Sequence, residues 1–127
     1  MSNPDARRVA VVGLGAVTPL GNDLPTTWTG ILAGRSGIGP ITQFDAADFR
    51  ARIAAEVKGF DPAEHMDVKE ARRTDRFVHF AIAAAQEALA QSGLEIAKED
   101  PTRVGVLIGS AVGGIHVLLE QLEVMAS

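Results

Sequence analysis

The 127-residue sequence contains no cysteine, which excludes disulfides, thiolate metal sites and a cysteine nucleophile within it. Only six residues are aromatic, five Phe and one Trp, so large rings do not dominate its packing. No apolar run approaches the roughly 20 residues of a bilayer-spanning helix. The opening, Met1 to Arg8, is polar and charged, unlike a signal peptide, and the expectation is a cytoplasmic protein with no membrane partner. Basic charge is not in surplus: 12 Lys+Arg against 16 Asp+Glu leave a net charge of −4, which removes the global positive field that drives nucleic-acid binding. Any cationic contact surface must be local.

What is present is ordinary for a globular chain of at most one domain, 46% hydrophobic and 22% charged. The 20 alanines and 13 glycines favour close layers of helix on sheet, because small side chains let backbones approach. Val9-Ala10-Val11-Val12, β-branched and ending at Gly13, predicts a strand buried on both faces. Asp23 caps a helix with Pro25 in its first turn and Gly34 as its stop. Gly34 to Pro40 reads as a loop, and Arg52 to Val57 alternates as a second strand. Asp67-Val68-Lys69-Glu70 has the form of a capping box. A longer helix runs from about Asp75 to Ser92, carried by Val78, Ile82, Ala85 and Leu89 and closed by Gly93. Val104 to Ile108 reads as another buried strand, and Ile115, Leu118, Leu119 and Leu122 begin a helix that reaches the neighbourhood of Ser127 without a C-cap. This order of strands and helices is that of an α/β layered fold, and the uncapped last helix gives the expectation that the natural unit is longer.

Four features bear on chemistry. Gly13-Leu14-Gly15 follows a strand pattern, but the third glycine of a dinucleotide-binding fingerprint would fall at Thr18, and Pro19 and Gly21 interrupt the helix that should begin there. A structural turn is the better reading. Ile108 to Gly114 lies between a strand and a helix, where backbone amides and small residues line a cavity or turn the chain; it is no Walker loop, because no Gly-Lys-Ser/Thr follows. Ser110 is no nucleophile, since Ile108-Gly109-Ser110-Ala111-Val112 does not end in glycine as a nucleophile elbow does. Lys69, Arg72 and Arg73, at i, i+3 and i+4, share one face if helical; on residues alone the simpler reading is a solvated helix face with internal ion pairs to Glu70 and Asp75. His65, His79 and His116 show no metal or triad spacing.

Several segments in order carry a specific resemblance: Val9 to Asn22, then Trp28, Leu32-Ala33-Gly34-Arg35-Ser36-Gly37-Ile38, Phe44-Asp45, Lys69 to Phe77, and Ile108-Gly109-Ser110 with Gly113-Gly114. From Arg7 onward the chain resembles the N-terminal part of a β-ketoacyl-acyl-carrier-protein synthase of the type II class, in the thiolase-like superfamily. The resemblance implies two similar α/β halves packed as an α/β/α/β/α sandwich, usually in a homodimer, of which residues 1–127 supply an incomplete opening of the N-terminal domain. It implies a decarboxylating condensing enzyme of fatty-acid or polyketide synthesis, in which a cysteine takes up an acyl group from a thioester and two histidines assist loss of carbon dioxide from malonyl-acyl carrier protein. Those three residues are expected beyond Ser127. None of the three histidines present matches them, so no catalytic residue, metal or cofactor is assigned here and the chain alone is expected to be inactive.

Two sites carry over by position. Lys69, Arg72 and Arg73 match the basic stretch that meets the acidic helix of acyl carrier protein, which turns the reading of that stretch from solvated face to docking patch. Ala111 and Val112 match the usual Gly-Ile at the dimer interface and acyl-pocket wall; Val112 is one methylene smaller than isoleucine, worth about 0.8 kcal/mol of buried contact. Ala111 also adds a methyl that restricts the turn, whereas Val12 in place of a common threonine is harmless in a strand. The alternatives are a non-catalytic partner subunit resembling a chain-length factor, and an inactive truncated remnant.

Overall fold

The computed structural model describes residues 8–126. The polar residues before Arg8, the start of the resemblance at Arg7 and the chain end at Ser127 lie outside the described residues. Four helices and one short antiparallel pair of strands follow in order: α1 (Leu24–Leu32), β1 (Ile38–Pro40), β2 (Ile53–Ala55), α2 (Val68–Ala71), α3 (Arg76–Ser92) and α4 (Ile115–Ala126), with single 3-10 turns at Pro62–Glu64, Ile96–Lys98 and Pro101–Arg103.

The helices begin where short acidic side chains satisfy free amides. Asp23 Oδ1 accepts from the Thr26 amide at 2.6 Å, and Asp67 Oδ1 accepts from Lys69 at 2.8 Å. Asp75 Oδ1 takes the Arg76 amide at 2.6 Å. The expected stops hold as well: Gly34 and Gly93 have φ of 63° and 67°, the left-handed region that glycine enters at no steric cost.

The strands differ from expectation. Ile38–Pro40, at the end of the segment read as a loop, is β1 and pairs with β2 in the register Ile38↔Ala55, Gly39↔Ala54 and Pro40↔Ile53. Proline is tolerated there because it ends an edge strand. The expected strands at Val9–Val12 and Val104–Ile108 form no ladder among the described residues. Val9 is 92% exposed and Leu107 98%. A strand with two apolar faces is stable only between neighbouring strands and covering layers. Here one helix, α3, flanks both segments, with an apolar groove between them lined by Val11, Val12, Ala85, Leu89, Val106 and Ile108.

α3 is the axis of the fold. Ala83 on it is buried, as are Thr27 and Gly30 on α1. The segment preceding α1 runs so close to α3 that a Cβ on Gly13 or Gly15 would overlap the carbonyl oxygen of Ala88 or Ala84. Two α3 side chains then collect amides of that segment and of the first residue of α1: Gln91 Oε1 accepts from Leu14 at 2.6 Å, and the two oxygens of Glu87 accept from Ala16 at 2.9 Å and Leu24 at 2.8 Å. The Gly-Leu-Gly turn is therefore a backbone-to-helix contact. No helix among the described residues is long and apolar enough to cross a membrane.

Candidate functional site

The cationic stretch sits at the joint between α2 and α3. Lys69 lies within α2, Arg72 is its C-cap with φ −70° and ψ −15°, and Arg73 follows in a turn. The face-sharing helix expected from their spacing is thus a single turn that stops at Arg72. Its continuation is limited by Thr74, whose Oγ1 donates to the Glu70 carbonyl at 2.9 Å, and by Asp75, whose extended backbone starts the next helix. All three cations are exposed. The internal ion pairs considered for them do not form: among the described residues the ion pair present is Lys98 with Glu95, and Asp75 is occupied with backbone amides.

Arg76, the next cation along, faces the opposite task. Its guanidinium donates to the Val57 carbonyl at 2.7 Å and lies 5.0 Å from the centre of the Phe80 ring, so it anchors the segment that follows β2 to α3. Beside it a cleft of about 410 Å³ is bordered by Phe44, Val57, Phe80, Ile115 and His116. The other histidines are structural. His65 stacks on Phe60 with centroids 5.2 Å apart, and its Nδ1 is 3.2 Å from Gln86 Oε1. His79 Nε2 lies 3.0 Å from the Ala71 carbonyl and 3.1 Å from Thr74 Oγ1. The described residues contain no group of three or more His, Cys, Asp or Glu placed to hold a metal ion.

The glycine turn at 109–114 leads into α4. Ser110 Oγ accepts from the Gly113 amide at 3.0 Å, and Asp75 Oδ2 accepts from the amides of His116 at 3.2 Å and Val117 at 3.3 Å. The amides of Gly113, His116 and Val117 are thus already bonded within the chain. Ala111 and Val112 project from this turn, Val112 being 74% exposed. Burial pushes the Asp75 carboxyl up, but the amides of Arg76, Val117 and His116 and the charge of the His116 imidazole outweigh it and hold the group below the ordinary carboxylate value. The cationic joint and the glycine turn, 35 or more residues apart in sequence, are brought together through Asp75. Sequence reasoning placed Asp75 at a helix start and missed its second helix. It also missed Glu87, for which the i, i+4 pairing with Gln91 on an alanine-rich helix was the available signal.

The order of helices and strands is that of an α/β unit, and the family follows from comparison. Residues 6–126 match the family described as "Beta-ketoacyl synthase, N-terminal domain", and the chain belongs to it. It is 48% identical over 125 residues to a 3-oxoacyl-[acyl-carrier-protein] synthase 2 of Synechocystis, covering 98% of this chain and 30% of the relative. A protein of the same name from Coxiella burnetii is 52% identical over 111 residues, covering 87% of this chain and 27% of the relative. The chain therefore spans less than a third of the length of these relatives. Among solved structures, the ishigamide ketosynthase/chain length factor matches with a TM-score of 0.67 and 30% identity over 92% of this chain and 30% of that one. A type II polyketide synthase acyl-carrier protein in complex with its ketosynthase matches with a TM-score of 0.72 and 25% identity, covering 91% of this chain and 31% of that chain.

Proposed function

We propose that this chain is the N-terminal part of a decarboxylating condensing enzyme that extends acyl chains with malonyl-acyl carrier protein in fatty-acid or polyketide synthesis. The observation that carries the reading is the 48% identity, across 98% of the chain, to a 3-oxoacyl-[acyl-carrier-protein] synthase 2. In it, Lys69, Arg72 and Arg73 dock the acidic surface of acyl carrier protein, and their exposure without ion-pair partners among the described residues leaves them available for that task. Ala111 and Val112 form the acyl-pocket wall and part of a homodimer interface, and the enzyme works in the cytoplasm. A partner subunit resembling a chain-length factor is the second reading, favoured by the solved ketosynthase/chain length factor; the synthase names at 48% and 52% identity favour the enzyme.

The docking half is tested in a completed enzyme, made by joining this chain to the remaining length of the Synechocystis relative. Replacing Lys69, Arg72 and Arg73 by Glu lowers kcat/KM for carrier-bound substrates roughly tenfold or more at low ionic strength, because the patch acts mainly on association. Activity on small pantetheine thioesters stays unchanged. Equal activity on carrier-bound substrates refutes the docking role.

A further inference from the structure

We propose that Asp75 is a positioning residue for the Ser110–Gly114 turn, because its one carboxylate caps α3 and α4 together and so sets where Ala111 and Val112 stand. The inference rests on the reading of Ala111 and Val112 as an acyl-pocket wall. The geometry is specific. Oδ1 serves the first amide of α3 at 2.6 Å, and Oδ2 serves two amides in the first turn of α4, 41 and 42 residues away in sequence. A Cβ on Gly114 would come within 3.0 Å of Oδ2 and 3.1 Å of the Asp75 Cβ, so the glycine lets the turn close onto the carboxylate. At its other end the turn is tied by Ser110 Oγ to the Gly113 amide. Ala111 and Val112 are therefore held between two anchors, one of which belongs to the helix that follows the cationic joint. The residue that precedes α4 is Gly114, which has no side chain to offer as a cap, and a negative charge at the start of the helix complements its dipole.

Aspartate offers two acceptor oxygens and asparagine one, and this separates the double role from ordinary capping. Asp75→Asn remains a good N-cap for α3 but leaves one acceptor for two helix starts. In the completed enzyme, hydrogen exchange at the His116 and Val117 amides is expected to accelerate about tenfold, as the loss of a charge-assisted bond requires, while α3 amides between Ala83 and Ala88 keep their protection. The ratio of long to short acyl products is expected to move about threefold or more, and Val112→Ile is expected to move it too. Unchanged exchange at His116 and Val117 overturns the proposal. A profile that responds to Val112→Ile but not to Asp75→Asn overturns it and leaves the pocket-wall reading standing; a profile that responds to neither, with exchange at α4 accelerated, refutes the pocket-wall reading and with it the functional part of this proposal. If Asp75→Asn loses α3 protection as well, Asp75→Ser, again a one-acceptor cap, is measured the same way. Joint loss of α3 and α4 in both variants makes Asp75 a general stability residue and overturns the proposal.

Discussion

Isolating this chain from the longer enzyme proposed above is a perturbation whose size the structure gives. The chain presents 10,486 Å² of accessible surface, whereas a compact chain of its 13.3 kDa mass presents about 6,500 Å². It therefore buries less than half of its extended-chain surface in place of the roughly two-thirds usual for its length. Apolar side chains contribute to the excess: Val106 is 85% exposed, Leu107 98%, and Met125 on α4 83%. At about 25 cal/mol per Å², a tenth of the shortfall is worth on the order of 10 kcal/mol, as much as the whole net stability of a typical domain. Alone, the chain is expected to retain much of α1 and α3 by far-UV circular dichroism, to bind a dye for exposed apolar surface, to sediment as oligomers and to melt without a sharp transition. A monomeric, cooperatively melting 127-residue protein would refute the burial argument.

Gly15→Ala places a methyl against the Ala84 carbonyl and lifts the segment carrying the Glu87 and Gln91 bonds; overpacking of this kind costs about 1–3 kcal/mol, read as a lower midpoint in denaturant for the completed enzyme and refuted by an unchanged one. Acid should loosen α4 before α3. The Asp75 pKa is depressed in the folded chain, so its contribution is present above the ordinary carboxylate range near pH 4 and is lost as pH falls below it; exchange at Val117 should accelerate with acid relative to interior α3 amides once intrinsic rates are corrected, and parallel behaviour would contradict the assignment.

The helices were legible in the sequence because their boundaries are local chemistry: Asp23, Asp67 and Asp75 accept amides one to three residues ahead, and Gly34 and Gly93 turn into the left-handed region. The strands were less so. Val9–Val12 and Val104–Ile108 have the composition of central strands, but pairing is a property of neighbours, and no neighbouring strand pairs with them among the described residues. Ile38–Pro40 was hidden by its glycine and proline, since its strand character comes from β2 opposite. The cationic patch was visible as a spacing, and its broken helix was not, because Asp75 ends one element and starts the next. The carboxylates that fasten the fold, Asp75 and Glu87, act over 41 to 71 residues, a distance at which no local pattern announces a partner.

The proposal that these residues form a working N-terminal part of a condensing enzyme is put to the test by giving the completed enzyme an acyl-carrier-protein thioester and malonyl-acyl carrier protein and detecting products by mass spectrometry. A 3-oxoacyl product extended by two carbons, with release of carbon dioxide, is expected. A folded completed enzyme that binds acyl carrier protein and forms no such product would contradict the proposal.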